Sequence, residues 1–185
     1  MAEIVAALKV GGLAIFPTDT VIGLGVAAAY AESPQAIFES KQRANSKPVA
    51  WLVGGVDALD VYGQQVPDYA RNLAHAFWPG ALTLIVKASD EVPETFRAAD
   101  GSIALRMPSH SNCLELIRQA GPLAASSANL SGEDAPAALT DLNPAFTESS
   151  IPVFDDGSVP SGRPSTIVDC TGDTPRVLRQ GDIKV

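Results

Sequence analysis

Short apolar runs set between helical stretches constrain this chain most. VAWLVG, TLIVKA, SIALRM and PLAASSA are each bounded by Gly, Pro, Asn or Asp, the pattern of largely buried strands. IPVFD, STIVDC and PRVLRQ read as further strands. VPDYARNLAHAFW and SHSNCLELIRQAG have helical spacing, the second opening at a Ser109 or Ser111 cap and stopping at Gly121. EIVAALKV, over 3–10, reads as a short helix ended by Gly11 and Gly12, followed by the strand LAIFPT, which breaks at Pro17. Ser33 before Pro34 predicts an N-cap with proline at N1, so PQAIFESKQR forms a helix with Ile37 and Phe38 inward and Lys41 and Arg43 at its end. Residues 131–150 read as loop with helical fragments. This interleaving predicts an α/β domain with a mixed sheet, and it leaves the strand order open.

A length of 185 residues suits one domain, 1–185. With 46% hydrophobic and 18% charged residues, the chain is too apolar for disorder. No run approaches the roughly 18 apolar residues of a membrane span. The opening MAEIVAALKVGG lacks a basic n-region, so a soluble cytoplasmic protein without membrane contact is expected. Cys113 and Cys170 stand far apart with no CxxC and no histidine at zinc spacing, so neither a disulfide framework nor a metal cage is indicated. Thirteen basic residues against 21 acidic ones, a net charge of −8, argue against a protein that coats nucleic acid with its whole surface.

Four segments can carry chemistry. PTDTVIGLG reads as a loop after a strand, with the hydroxyls of Thr18 and Thr20, one carboxylate and glycines that allow close backbone approach. It is neither GxGxxG nor a Walker loop, and an ordinary turn is equally consistent. KQRANSKP concentrates Lys41, Arg43 and Lys47, cations that suit a triphosphate; a solvated, dipole-capping helix end is the other reading. In SIALRMPSH, Arg106 ends an apolar strand and needs a carboxylate, from the protein or from a ligand. His110 reads as a helix-start or surface histidine and His75 as part of an amphipathic helix. AASSANLSG runs into Ser126, Ser127, Asn129 and Ser131, hydroxyls and an amide suited to phosphate or ribose. No GxSxG elbow surrounds Ser127, which argues against a serine nucleophile.

Taken in order with WPGALTLIV, STIVD and LRQGDI, these segments resemble the threonylcarbamoyl-AMP synthase family, the YrdC-like proteins, from about Gly11 to Ile183. The resemblance implies a twisted mixed sheet with flanking helices and a concave substrate groove, in the short single-domain form. It implies that L-threonine and bicarbonate give N-carboxythreonine, which attacks the α-phosphate of ATP to form threonylcarbamoyl-AMP and pyrophosphate, the first step of tRNA t6A37 modification. Carried over by position, Thr20, Arg106, the backbone near Ala125 and Ser165 hold threonine. Arg43, Lys47, Ser102, Ser127, Asn129 and Arg179 hold ATP, with Lys41 and Arg43 as the catalytic cations. Mg²⁺ comes with ATP rather than from a dedicated cage. Downstream tRNA threonylcarbamoyl transferase proteins are the implied partners, with tRNA or other RNA as a further contact. Ile22 stands where the family often has an aromatic residue, Leu52 where some members have histidine, and Ala44 replaces a proline. The alternative is a YrdC-like module that only binds RNA, or a paralogue without synthase activity.

Overall fold

The computed structural model describes residues 1–42 and 49–185. In chain order the elements are α1 (Ala2–Leu8), β1 (Ala14–Pro17), β2 (Ile22–Ala27), α2 (Gln35–Ser40), β3 (Ala50–Leu52), α3 (Ala58–Tyr62), α4 (Asp68–Phe77), β4 (Leu82–Lys87), β5 (Ser102–Arg106), α5 (Ser111–Ala120), β6 (Leu123–Ser127), α6 (Pro144–Thr147), β7 (Thr166–Asp169) and β8 (Arg176–Arg179). The strands form one sheet in the order β1-β2-β6-β3-β5-β4-β7-β8. It is mixed, with β3–β5 and β4–β7 parallel and the other neighbours antiparallel. No helix among the described residues is long and apolar enough to cross a membrane.

Several local expectations shift. IGLGVA is a fully buried strand, β2, rather than part of a loop, and the open turn shrinks to Thr18–Val21. Its glycines are there because neighbours crowd the strand: a Cβ on Gly25 would stand 2.7 Å from the Ala124 carbonyl oxygen. The second helix starts at Gln35 with Pro34 as its N-cap, although the Ser33 hydroxyl still accepts from the Gln35 N–H at 3.3 Å. It ends before Lys41, and Gln42 turns to φ 48. The cap of α5 is His110, whose Nδ1 accepts from the Cys113 N–H at 3.2 Å, not Ser109 or Ser111. IPVFD makes only a bridge between Val153 and Ile15.

Alternation along the strands gives the sheet two faces. On one, Leu24, Val26, Trp51, Ile103, Leu105, Leu84 and Val168 pack under Ile37, Phe38, Leu59, Ala70 and Ala74 of α2, α3 and α4. On the other, α1 and α5 cover Phe16, Ala27, Leu52, Leu123 and Ala125, residues of the β1-β2-β6-β3 half. The remaining half of that face, carried by β5, β4, β7 and β8, lies outside this second core. It carries Ser102, Ala104, Arg106, Thr83, Ile85, Ile167 and Asp169, the half-face outside the α1–α5 core, where the family resemblance implies the substrate groove.

Candidate functional site

Arg106 ends β5 on the groove face. Its Nη2 donates to Asp19 Oδ1 at 2.7 Å, its Nη1 to Thr20 Oγ1 at 2.7 Å and its Nε to the Gly80 carbonyl at 3.1 Å. The side chains are 7% exposed for Arg106 and 16% for Asp19. Burial without a partner would cost several kcal/mol, about 3–5 by the usual result of breaking such pairs, and Asp19 supplies the partner. The turn between β1 and β2 thus folds over the sheet to reach β5. Thr18 Oγ1 lies 3.1 Å from Thr20 Oγ1 and accepts from the backbone of Thr20 and Val21, which sets the turn. The segment after Val153 straps it down: Ser161 N–H donates to the Asp19 carbonyl and Gly162 N–H to the Thr20 carbonyl.

Beside Arg106 a second hydrogen-bonded group crosses three strands. Thr83 Oγ1 lies 2.8 Å from Ser165 Oγ, and Arg179 donates from Nε and Nη2 to the Ser165 carbonyl at 3.0 and 2.9 Å. Arg179 is exposed as a residue of the edge strand, yet its guanidinium lies over Ser165. There lost hydration, and then the nearby Arg106 charge, lower its proton affinity below the ordinary arginine value. The Gly after this strand is required. A Cβ on Gly181 would collide with the Pro164 carbonyl and the Ser165 backbone, and Gly181 N–H donates to Thr166 Oγ1 at 3.0 Å.

Lys41 is not a solvated helix end: it is 3% exposed. Its ammonium donates to the carbonyls of Ser127 and Asn129 and to Asn129 Oδ1, the last at 3.2 Å. Its own carbonyl accepts from the Ser131 N–H at 2.9 Å. Ser127 Oγ donates to Asn129 Oδ1, and Asn129 Nδ2 donates to the carbonyls of Leu130 and Glu133. The turn after β6 and the end of α2 therefore form one polar unit. β2 joins it to the first group, since Gly23 pairs with Ser127 and Thr20 lies two residues before β2.

The floor between the groups is a row of small side chains, Ala125–Ala50–Ala104, paired across β6, β3 and β5. Ser102 and Ser127 lie on the same side of that row, each two residues along its strand, about 10 Å apart at two strand spacings. The Ser102 hydroxyl donates to Asp100 Oδ1 at 2.6 Å. Arg106, four residues along β5, is about 13 Å from Ser102. Sequence position alone does not predict this division: Thr20, Arg106, Ser165 and Arg179 gather at one side, Lys41, Ser127 and Asn129 at the other, with Ser102 toward the latter. Arg43 and Lys47 lie outside the described residues. Leu52 stands beside Arg106 in the sheet and packs in the core under α5, while Ile22 is buried on the opposite face.

Asp19 and Thr83 belong to the site although the sequence reading gave them no role. Asp19 is the carboxylate of PTDT, and its signal was the need of Arg106 for an anion. Thr83 is a polar residue in the buried run TLIVKA, where a hydroxyl requires a partner.

Residues 6–181 match the model of the Sua5/YciO/YrdC family, described under the heading of telomere recombination. The chain belongs to that family. It is 40% identical over 179 residues to a putative threonylcarbamoyl-AMP synthase of Mycobacterium tuberculosis, covering 97% of this chain and 82% of the relative. A threonylcarbamoyl-AMP synthase of Bacillus subtilis is 35% identical over 185 residues, covering 99% of this chain and 54% of that protein. The crystal structure of Pyrococcus abyssi Sua5 complexed with L-threonine superposes with a TM-score of 0.89 at 35% identity, covering 96% of this chain. This chain spans about half the length of the last two, 54% and 52%. Escherichia coli YciO is similar as well, with a TM-score of 0.86 at 25% identity.

Proposed function

We propose that this Sua5/YciO/YrdC-family chain is an L-threonylcarbamoyladenylate synthase, a nucleotidyltransferase that converts L-threonine, bicarbonate and ATP to threonylcarbamoyl-AMP and pyrophosphate. The observation that carries this reading is the groove's fixed cations. Arg106 is anchored by Asp19, Thr20 and Gly80, and Lys41 is buried against the Ser127–Asn129 turn. Charges oriented in advance stabilise charge that develops during reaction without reorganising.

Three of the five N–H groups of Arg106 are engaged by these partners among the described residues. The other two suit an α-carboxylate. We assign the amino acid to Arg106, Thr20, the Ala125 backbone and Ser165. ATP is assigned to Ser102, Ser127, Asn129 and Arg179 with Arg43 and Lys47, and Lys41 lies by the reacting phosphate. Condensation of the threonine ammonium group with bicarbonate releases water and a proton and leaves a carbamate. A carbamate oxygen then forms a bond to the α-phosphorus as the bond to the bridging oxygen of the β-phosphate breaks, and pyrophosphate leaves. No histidine base is required, because the work at phosphorus is positioning and charge stabilisation.

Among the described residues no group of three or more His, Cys, Asp or Glu gathers to hold a metal, so a Mg²⁺ in this groove fits as an ion carried by the triphosphate. The labile mixed anhydride needs an acceptor, which makes tRNA threonylcarbamoyl transferase proteins the natural consumers. The test is product analysis: ATP, L-threonine and labelled bicarbonate should yield an adenylate that carries the label. AMP without a labelled adenylate, or none at all, contradicts the reading.

A further inference from the structure

We propose that Thr83 is a positioning residue that makes Ser165 a donor-only hydroxyl, so that the groove selects a ligand oxygen at that point and refuses an ammonium. The inference rests on the amino-acid assignment above.

Thr83 is 3% exposed and Ser165 6%. Among the described residues the only hydrogen-bond partner of the Thr83 hydroxyl is Ser165 Oγ, at 2.8 Å. A hydroxyl in the middle of a sheet face costs stability unless it is bonded. At this register a valine would give the same shape, so the hydroxyl itself calls for a role. Ser165 Oγ has two lone pairs and one hydrogen. Arg179 Nη2, which can only donate, already occupies one lone pair at 3.2 Å. Thr83 and Ser165 have two hydroxyl hydrogens and one contact between them, so one hydrogen finds no acceptor within the pair. If Thr83 donates, both lone pairs of Ser165 are filled and the Ser165 hydrogen is free for a ligand. A carboxylate or hydroxyl oxygen arriving at Ser165 fixes that direction, and the chain from Thr83 through Ser165 to the ligand then polarises along its length. An ammonium would have to reverse the Thr83–Ser165 bond, which leaves the hydrogen of the buried Thr83 hydroxyl without an acceptor.

The test is calorimetric binding of L-threonine to the full chain, with thermal unfolding confirming that each variant is folded. Thr83→Val keeps the side-chain shape and is expected to weaken binding by up to about tenfold, the effect of one hydrogen bond. Thr83→Ser should restore affinity to within about twofold, since it returns the hydroxyl. In a Ser165→Ala background Thr83→Val should add nothing, because the two residues act as one unit. Should Thr83→Val unfold at the assay temperature, Thr83→Cys carries the same comparison, its thiol being a weak donor. Equal weakening of L-threonine and L-2-aminobutyrate places the ligand carboxylate at Ser165, and weakening of L-threonine alone places the hydroxyl there; both support the inference. Wild-type affinity in Thr83→Val, no rescue by Thr83→Ser, or an equal loss with and without Ser165 overturns it. A wild-type chain that does not bind L-threonine overturns the functional reading as well, whereas wild-type binding with an unaffected Thr83→Val overturns this inference alone.

Discussion

Arg106 Nη2 donates to Asp19 Oδ1 at 2.7 Å, tying the end of β5 to the turn between β1 and β2. The contact joins residues 87 positions apart, and it settles an alternative that the sequence leaves open: the carboxylate that satisfies Arg106 comes from the protein. Ligand binding is not thereby displaced, because Asp19, Thr20 and Gly80 hold the guanidinium in place and leave two N–H groups over for an incoming anion.

Removing Asp19 leaves a buried guanidinium short of its counter-charge. Asp19→Ala is expected to lose about 3–5 kcal/mol, which lowers the thermal midpoint by roughly 6–20 °C for a chain of this size. Arg106→Lys keeps the charge but loses the planar fork, so its midpoint should fall less while kcat/KM for L-threonine drops at least about tenfold. Calorimetry and steady-state kinetics on the two variants check both statements.

Lys41 holds the turn after β6, and the proposed function gives it a chemical role as well. Lys41→Met leaves the Ser127 and Asn129 carbonyls short of a donor, a loss of about 1–3 kcal/mol. Turnover should fall by about a hundredfold or more. A midpoint equal to the wild type would show that the buried ammonium does not hold this turn.

Gly181→Ala is expected to displace the backbone at Pro164 and Ser165, with which a Cβ would collide. Overpacking of this kind costs about 1–3 kcal/mol, and L-threonine should bind more weakly because Ser165 moves. Gly172→Ala is the control, since a Cβ there meets nothing within 4 Å.

Much of this fold is legible in the sequence, and the misses have physical causes. TLIVKA and SIALRM announce strands because their apolar residues fill the space between layers. IGLGVA does not, because its glycines are dictated by the Ala124 carbonyl and the Phe16 ring, contacts made by residues of the two neighbouring strands. The cluster at Lys41 is visible through the scarcity of basic residues, but the burial of Lys41 is not, since its acceptors come from the turn after β6. Asp19 and Thr83 escape for the same reason: they lie within PTDTVIGLG and WPGALTLIV, yet each acquires its role from a partner distant in the chain.

Asp156 is one of several carboxylates, with Asp100 and Asp169, whose lowered pKa sets an acid limit to the stability. Burial raises its carboxyl pKa, but donors from Ser158 and Asn112, with the nearby His110, outweigh this and hold it below the ordinary value. A depressed folded pKa contributes stability that is present above the unfolded value of about 3.9 and is lost as pH falls through the folded value. The urea midpoint should therefore hold from pH 7 to about 5 and decline below about 4. In Asp156→Asn it should start lower at pH 7 and decline less. Parallel pH profiles for the two proteins would contradict this assignment.

The most direct measurement of the central claim is pyrophosphate release from ATP by the purified chain, with L-threonine and bicarbonate supplied together, singly and not at all. Release that requires both is the predicted result. Release that ignores L-threonine, or no release with both present, would contradict the synthase reading of the groove.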